Sequence, residues 1–268
     1  MDHKEFLISF SQKSGYDFVD YSESSIVRRL QKICADTGMD FEQILAKSAT
    51  DKALVTKVVE DITVNTTELF RDPSVWVSIA KTVYPKLPKQ AMSTIWHAGC
   101  STGLEVYSDL IMLSELGISD RVRVIGTDIN PTVLDSARRG VYSFAYNKAY
   151  VDNFDYVMSQ MGLRADFDKY FDIDVKNDTI TVKPELRAKA SFLKQDLVKD
   201  KAPFPYRVDV VFLRNVIIYF NEALQMRVLK SISEKLFPGG TLILGKQEDL
   251  PLKAGTVFSR SGVFYKKK

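Results

Sequence analysis

Cysteine is nearly absent from this chain: Cys34 and Cys100 are the only two in 268 residues. They lie far apart and match no ligand spacing, which excludes a disulfide framework and makes a reduced, cytoplasmic setting the simplest context. The glycosylation triplets at Asn65 and Asn177 are then chance matches. Histidine is as scarce, with His3 and His97 alone, and no metal centre is expected from so few ligands. Long hydrophobic runs are missing too. The longest, near Val208 to Phe220, is interrupted by Arg214 and Asn215, and Met1-Asp2-His3-Lys4 opens no signal peptide, so a soluble protein without membrane insertion is expected. Neither sign of charge dominates. Against 34 acidic residues stand 37 basic ones, interspersed, and a net +3 gives no case for nucleic-acid binding. There is no repeat, low-complexity tract or proline-rich linker, and the closing Lys266-Lys267-Lys268 reads as a solvated tail.

What is present is a chain 45% hydrophobic, enough for one large domain or a medium one with a smaller partner. It is organised around Ile95 to Ser108. A short apolar run passes through small residues from Ala98 to Gly103, and apolar residues then resume at helical spacing through Leu110, Ile111, Leu113 and Leu116. That pattern predicts a strand, a tight loop and a helix. In open α/β sheets a ligand sits where such a loop leaves its strand, because Gly99 and Gly103 would let the backbone approach and a helix start presents free N–H groups. Arg121 to Thr127 predicts a second strand ending in Asp128, near the distance expected for an acid that bonds ribose hydroxyls. Asn130-Pro131 caps a helix that Gly140 closes. This βαβ unit suits two cofactors, a nicotinamide dinucleotide or S-adenosylmethionine.

Residues up to about Leu69 read as helices. From Ser24 to Cys34 the apolar Ile26, Val27, Leu30, Ile33 and Cys34 share one face and Arg28, Arg29 and Lys32 the other, either as a solvated basic face or as a docking face for an acidic helical partner. Phe41 to Lys47 and Lys52 to Val64 continue the helical pattern, with Asp51 or Thr50 as cap. The polar segment Asn65 to Pro73 follows. Its Arg71 sits at the start of a helix, electrostatically the wrong end for a cation, which asks for an anionic ligand. Lys86 to Met92 is a short linker, and Tyr142 to Asp168 predicts short helices. Phe171 to Val175 and Thr179 to Val182, alternating about an Asn-Asp turn, predict a hairpin forming a small inserted sheet. Ala190 to Gln195 and Val208 to Leu213 predict buried core strands that end at Asp196-Leu197 and Arg214-Asn215. Asn221 caps a helix to Leu236, Pro238-Gly239-Gly240 turns it, and Thr241 to Gly245 is a further strand. Thr256 to Phe258 and Gly262 to Tyr265 close the chain as an antiparallel pair.

Taken together, these residues resemble the chemotaxis-receptor glutamate methyltransferases, the CheR family. Asn65-Thr66-Thr67-Glu68-Leu69-Phe70-Arg71-Asp72 resembles its Asn-x-Thr-x-Phe-Phe-Arg-(Asp/Glu) segment, and Ala98 to Gly103 with Glu105 and Tyr107-Ser108 resembles its Ala-Gly-Cys-Ser-Thr-Gly-Glu-Glu-Pro-Tyr-Ser loop. Gly126-Thr127-Asp128-Ile129, Arg214-Asn215-Val216-Ile217-Ile218-Tyr219-Phe220 and Pro238-Gly239-Gly240 through Gly245 are similar to three later motifs, in the same order over roughly residues 5 to 250.

The resemblance implies an α/β fold: a helical amino-terminal domain (1–69), a connecting segment (70–92), and a Rossmann-like SAM-binding domain (93–268) with an antiparallel β subdomain at about 170–184. It implies a SAM-dependent O-methyltransferase that esterifies glutamate side chains on chemoreceptor cytoplasmic helices in sensory adaptation and signal transduction, releases S-adenosylhomocysteine, and acts as a monomer. Asn65, Thr67 and Arg71 would reach the methionine part or the methyl, Glu105 the methionine amino group, Asp128 the ribose, and Asp196 and Leu197 the adenine. Arg214 and Asn215 would form the floor. Arg71 and Tyr219 would be catalytic, and Arg28, Arg29 and Lys32 would dock the receptor. The sequence departs from the family at Leu104 and Val106, where the loop has glutamate and proline, and at Lys246-Gln247, where it has His-Ser. An altered protein substrate, or a non-catalytic module that binds SAM or its product, is the alternative. A dehydrogenase would need a Gly-x-Gly-x-x-Gly loop, which is not evident.

Overall fold

Four helices build the amino-terminal part of the computed structural model, which describes residues 1–63, 65–144 and 148–268. They are α1 (His3–Ser14), α2 (Glu23–Thr37), α3 (Phe41–Ser48) and α4 (Lys52–Ile62). Asp2, Asp40 and Asp51 start α1, α3 and α4 by accepting backbone N–H groups that a helix start leaves free. The apolar stripes meet in a core of their own in which Phe6, Phe10, Ile33, Ile44 and Val58 are fully buried. The helix expected to reach Val64 is described to Ile62; Val64 itself lies outside the described residues.

Next come α5 (Pro73–Thr82), β1 (Ser93–Ala98), α6 (Leu104–Glu115), β2 (Val122–Asp128), α7 (Pro131–Arg139) and β3 (Val141–Ser143). After them run α8 (Lys148–Gln160), β4 (Phe171–Asp174), β5 (Thr179–Val182), the helical turn α9 (Pro184–Arg187), β6 (Ala190–Lys194) and β7 (Val208–Leu213). The chain closes with α10 (Glu222–Lys235), β8 (Leu236–Leu244), β9 (Phe258–Ser261) and β10 (Phe264–Lys267). The large sheet has the order β6-β2-β1-β7-β8-β10-β9, parallel as far as β8 and antiparallel beyond it. Side chains alternate along each strand. Ile95 and Phe212 therefore enter the core shared with α5 and α6, while Trp96 and Val211 enter the opposite one with α10. Strand order reverses between β1 and β7, where the loops leaving their carboxyl ends part to form a crevice.

Several expectations are corrected. Tyr142 to Asp168 is not a set of short helices. Tyr142 pairs with Ile180 as part of β3, making the small sheet three-stranded in the order β3-β5-β4, and α8 is one helix of 13 residues buried through Phe154 and Val157. Residues 145–147 of that stretch lie outside the described residues. β6 is an edge strand and only partly buried. Pro238-Gly239-Gly240 makes no separate turn: α10 runs directly into β8, and a register irregularity between Val208 and Val210 absorbs the glycines. The closing pair starts later than expected, at Phe258. The terminal lysines are no solvated tail, because Lys266 and Lys267 belong to β10 and Lys267 Nζ donates to Leu236 O at 2.9 Å, beyond the last turn of α10. No described helix is long and apolar enough to cross a membrane.

Candidate functional site

The crevice is a cleft of about 930 Å³ open to solvent. One wall is made by chain leaving the carboxyl ends of parallel strands: Gly99 to Ser101 after β1, Asp128 and Ile129 at β2, Gln195 to Val198 after β6, and Arg214 to Val216 after β7. The other is made by the amino-terminal part through Tyr21, Ile62 and Thr63, and by Asn65, Thr66, Thr67 and Arg71.

The loop after β1 is tied to the end of β2, since the N–H groups of Gly99 and Cys100 both donate to Thr127 O, at 2.8 and 2.9 Å. Gly99 has φ +82°, and a Cβ there would lie 2.6 Å from Val216 Cγ2, so only glycine lets this loop pass the one after β7. Gly103 has φ +86° and turns the chain into α6, but it packs on Ala137 and Phe192 and does not line the cleft. Its place here is in the packing behind the cleft, against α7 and β6. Asp128 accepts Ser101 N–H at 2.8 Å and Asn130 N–H at 3.0 Å. Burial pushes its carboxyl above the usual carboxylate range and these N–H groups work against that, while lone pairs remain for ligand hydroxyls. Asp196 is likewise raised by burial and accepts Val198 N–H at 2.8 Å, and Leu197 lines the cleft beside it.

Behind the cleft runs a buried chain of charges. Arg214, with no exposed side-chain surface, donates to Glu105 Oε2 at 3.0 Å, to Asp72 Oδ2 at 2.7 Å and to the Arg71 carbonyl at 3.0 Å. His97 lies 2.9 Å by Nδ1 from Glu105 Oε1 and 3.0 Å by Nε2 from Asp109 Oδ2, and Tyr84 donates to Asp109 Oδ1 at 2.5 Å. Burial opposes the charge on Glu105, but the hydrogen bonds and charges of His97 and Arg214 outweigh it and hold the carboxyl below its ordinary range. Two cations against three carboxylates leave one negative charge over, and Glu105 is the member of this chain, with Arg214, that lines the cleft.

Arg71 precedes the left-handed N-cap Asp72 of α5 and lines the cleft, its guanidinium donating to Thr66 O at 3.4 Å. Tyr219 lines the same cleft, with the Arg29 guanidinium 5.5 Å from its ring centre. Thr67 and Asn215 are also in the lining. Asn65 lines it as well, although its amide is turned back to donate to Glu60 O in the last turn of α4 at 3.2 Å. The three basic residues of α2 part company. Arg28 is exposed, Lys32 pairs with Asp36 one turn on, and half-buried Arg29 donates to Asp61 O at 3.2 Å and faces Tyr219.

Sequence reasoning missed Tyr21 and Gln195, which line the cleft, and Glu248, which shapes it. Tyr21 bridges to Phe220 across the two parts of the molecule, where Ser22 N–H donates to Tyr219 O at 2.8 Å. Gln195 Oε1 is buried without a hydrogen-bond partner among the described residues. Glu248 accepts the backbone N–H groups of Gly245, Asn215, Val216 and Ile218 at 2.7, 2.6, 2.9 and 3.2 Å, holding the loop after β7 where Asn215 has φ 59°. The one available signal was its position directly after Lys246-Gln247, where the family's last motif ends in glutamate.

The family described as CheR methyltransferase, SAM binding domain, matches residues 65–265. Cher3 of Pseudomonas putida, named as a methyltransferase, is 34% identical over 90% of this chain and 86% of its own length. A chemotaxis protein methyltransferase of Listeria monocytogenes is 26% identical over 93% of this chain and 90% of its own, and that of Vibrio cholerae is 29% identical over 78% and 75%. The solved structure of the glycopeptide N-methyltransferase MtfA with sinefungin aligns with a TM-score of 0.39 at 12% identity, over 67% of this chain and 50% of that one, a distant likeness only.

Proposed function

We propose, for a chain that belongs to the CheR methyltransferase family and uses S-adenosylmethionine, that it esterifies glutamate side chains on the cytoplasmic helices of chemoreceptors. The observation that carries this reading is the polarity of the cleft. Glu105, Asp128 and Asp196 line it as acids, while Arg71 lines it as a cation and Arg29 lies against the Tyr219 ring. The cofactor supplies a methyl group on a sulfonium.

The residues present fit that cofactor. Glu105, with one uncompensated negative charge behind it, would receive the methionine ammonium; Asp128 would hold the ribose hydroxyls; and Gln195 with Asp196 and Leu197 would face the adenine, the unpaired Gln195 Oε1 accepting from its amino group. Arg214 and Asn215 would form the floor, held by Glu105 and Glu248. On the substrate side a carboxylate is already a nucleophile at neutral pH, so the chain need supply no general base and contributes chiefly in-line placement. Arg71 can hold such a carboxylate by two hydrogen bonds, and Asn65, Thr67 and Tyr219 complete the surround. The basic side of α2 would meet the receptor helix mainly through Arg28. The division into a helical domain (1–69), a connecting segment (70–92) and a SAM-binding domain (93–268) belongs to the same proposal.

The departures at Leu104 and Val106 lend no support to the non-catalytic alternative. Leu104 is 1% and Val106 0% exposed in the core beneath α6, and neither lines the cleft. The test uses tritiated S-adenosylmethionine and a receptor cytoplasmic fragment. Transfer of label that is released as methanol in mild base is expected, because an ester hydrolyses where a methylated amine does not. Base-stable label, or no transfer alongside intact S-adenosylhomocysteine binding, would overturn the proposal. Arg71→Ala should lower kcat more than it raises the cofactor Kd; equal losses would count against its carboxylate-holding role.

A further inference from the structure

His97, next to the carboxyl end of β1, points into the space between α6 and β7, where a parallel sheet normally places an apolar side chain. Its ring stacks on Phe212, centroids 4.2 Å apart, and is fully buried. Each nitrogen faces a carboxylate oxygen, Nδ1 at Glu105 and Nε2 at Asp109. Between two ionised carboxylates a neutral imidazole would turn a lone pair toward one of these oxygens, so the arrangement favours a ring protonated on both nitrogens. Asp109 is held in turn by Tyr84, and Glu105 is held on its other oxygen by Arg214, itself paired with Asp72. Replacing such buried ion pairs with apolar residues is often neutral or stabilising, so stability alone is a poor reason for them. Of the carboxylates in this network, Glu105 is the one that lines the cleft, and it is held there from two sides, by His97 on one oxygen and Arg214 on the other.

We propose that His97 is a positioning residue, which with Asp109 and Tyr84 behind it orients Glu105 to receive the ammonium group of the cofactor's methionine moiety. This rests on the reading that Glu105 is the ammonium site. Without His97 the carboxylate keeps only its Arg214 contact and can swing about it. The loss then falls on the amino-acid end of the cofactor and spares the nucleoside end, which is bound by residues after β2 and β6.

Two ligands separate these ends: S-adenosylhomocysteine carries the ammonium, and 5′-methylthioadenosine has the same nucleoside and thioether without it. Calorimetry with both is run on the full chain, on Glu105→Gln, on His97→Gln and on Asp109→Asn. His97→Gln is expected to weaken S-adenosylhomocysteine roughly ten- to a hundredfold, the scale of one charge-assisted hydrogen bond, and to leave 5′-methylthioadenosine nearly unchanged. Asp109→Asn should shift the same ratio in the same direction by less. If Glu105→Gln alters the ratio and His97→Gln does not, the positioning role is overturned while the ammonium site stands. If Glu105→Gln leaves the ratio unchanged, the ammonium site fails and the positioning role with it. Should His97→Gln not fold, Asp109→Asn decides: equal loss of both ligands, or of neither, refutes the proposal.

Discussion

Replacing Glu248 by alanine strips the loop after β7 of the carboxylate that accepts its backbone N–H groups at Asn215, Val216 and Ile218, together with that of Gly245. A hydrogen bond to a charged group contributes about 1.5–3 kcal/mol, so four taken at face value would total far more than one substitution normally costs. Two effects reduce the figure. Burial already pushes the Glu248 carboxyl above its usual range, so part of the gain offsets its own desolvation, and the side chain is only partly buried, so water can reach some of the freed donors. A loss of about 3 kcal/mol remains, equivalent to roughly 6–12 °C in Tm for a chain of this size. Glu248→Gln should cost nearly as much, because its amide would turn a donor toward some of the same N–H groups. Since this loop carries Arg214 and Asn215 into the cleft, S-adenosylhomocysteine affinity should fall in both variants. Unfolding by heat and by urea without ligand, followed by calorimetry, measures both effects. A Glu248→Ala protein within about 1 kcal/mol of the parent, with unchanged affinity, would show that the loop holds its shape without the carboxylate, and the reasoning would be wrong.

The buried imidazole sets a pH window. Burial acts to lower the pKa of His97, but the hydrogen bonds and charges of Asp109 and Glu105 prevail and raise it from 6.5 to about 9. A raised folded-state value means stability that is fully present below the unfolded value and lost as pH climbs through the folded one. Urea midpoints should therefore fall between about pH 6.5 and 9, and less steeply in Asp109→Asn. Gly99→Ala combines a left-handed φ with a Cβ 2.6 Å from Val216; it should cost on the order of 2 kcal/mol and weaken S-adenosylhomocysteine at least tenfold. Gly117→Ala, also at positive φ but with open space around it, is the control, and should cost about 1 kcal/mol by thermal unfolding and leave ligand binding intact.

Much of this molecule is local physics and could be read directly. The caps Asp51 and Asn130, Pro131 at a helix start, Gly140 at its end and the alternation of β4 and β5 act within a few residues, so pattern alone placed those elements. Five ordered motifs pointed to the family and to residues of which all the cofactor candidates but Gly103 line one cleft. What pattern could not decide is what depends on partners distant in the chain. β6 reads as a buried strand because its own residues are apolar enough, but its place at the sheet edge is set by which strand pairs with β2. The terminal lysines read as solvated because nothing beside them in sequence says otherwise, and only strand pairing brings them to β8 and the end of α10. His97, one polar letter inside a strand, becomes a buried cation because Glu105 and Asp109 stand on one face of α6 and Tyr84 reaches Asp109 from beyond α5. Sequence determines which residues can carry charge and where these capped helices begin, since both are properties of single residues and their neighbours. Tertiary structure alone decides which charges meet, because Coulomb interactions act over a few ångströms in space whatever the separation along the chain.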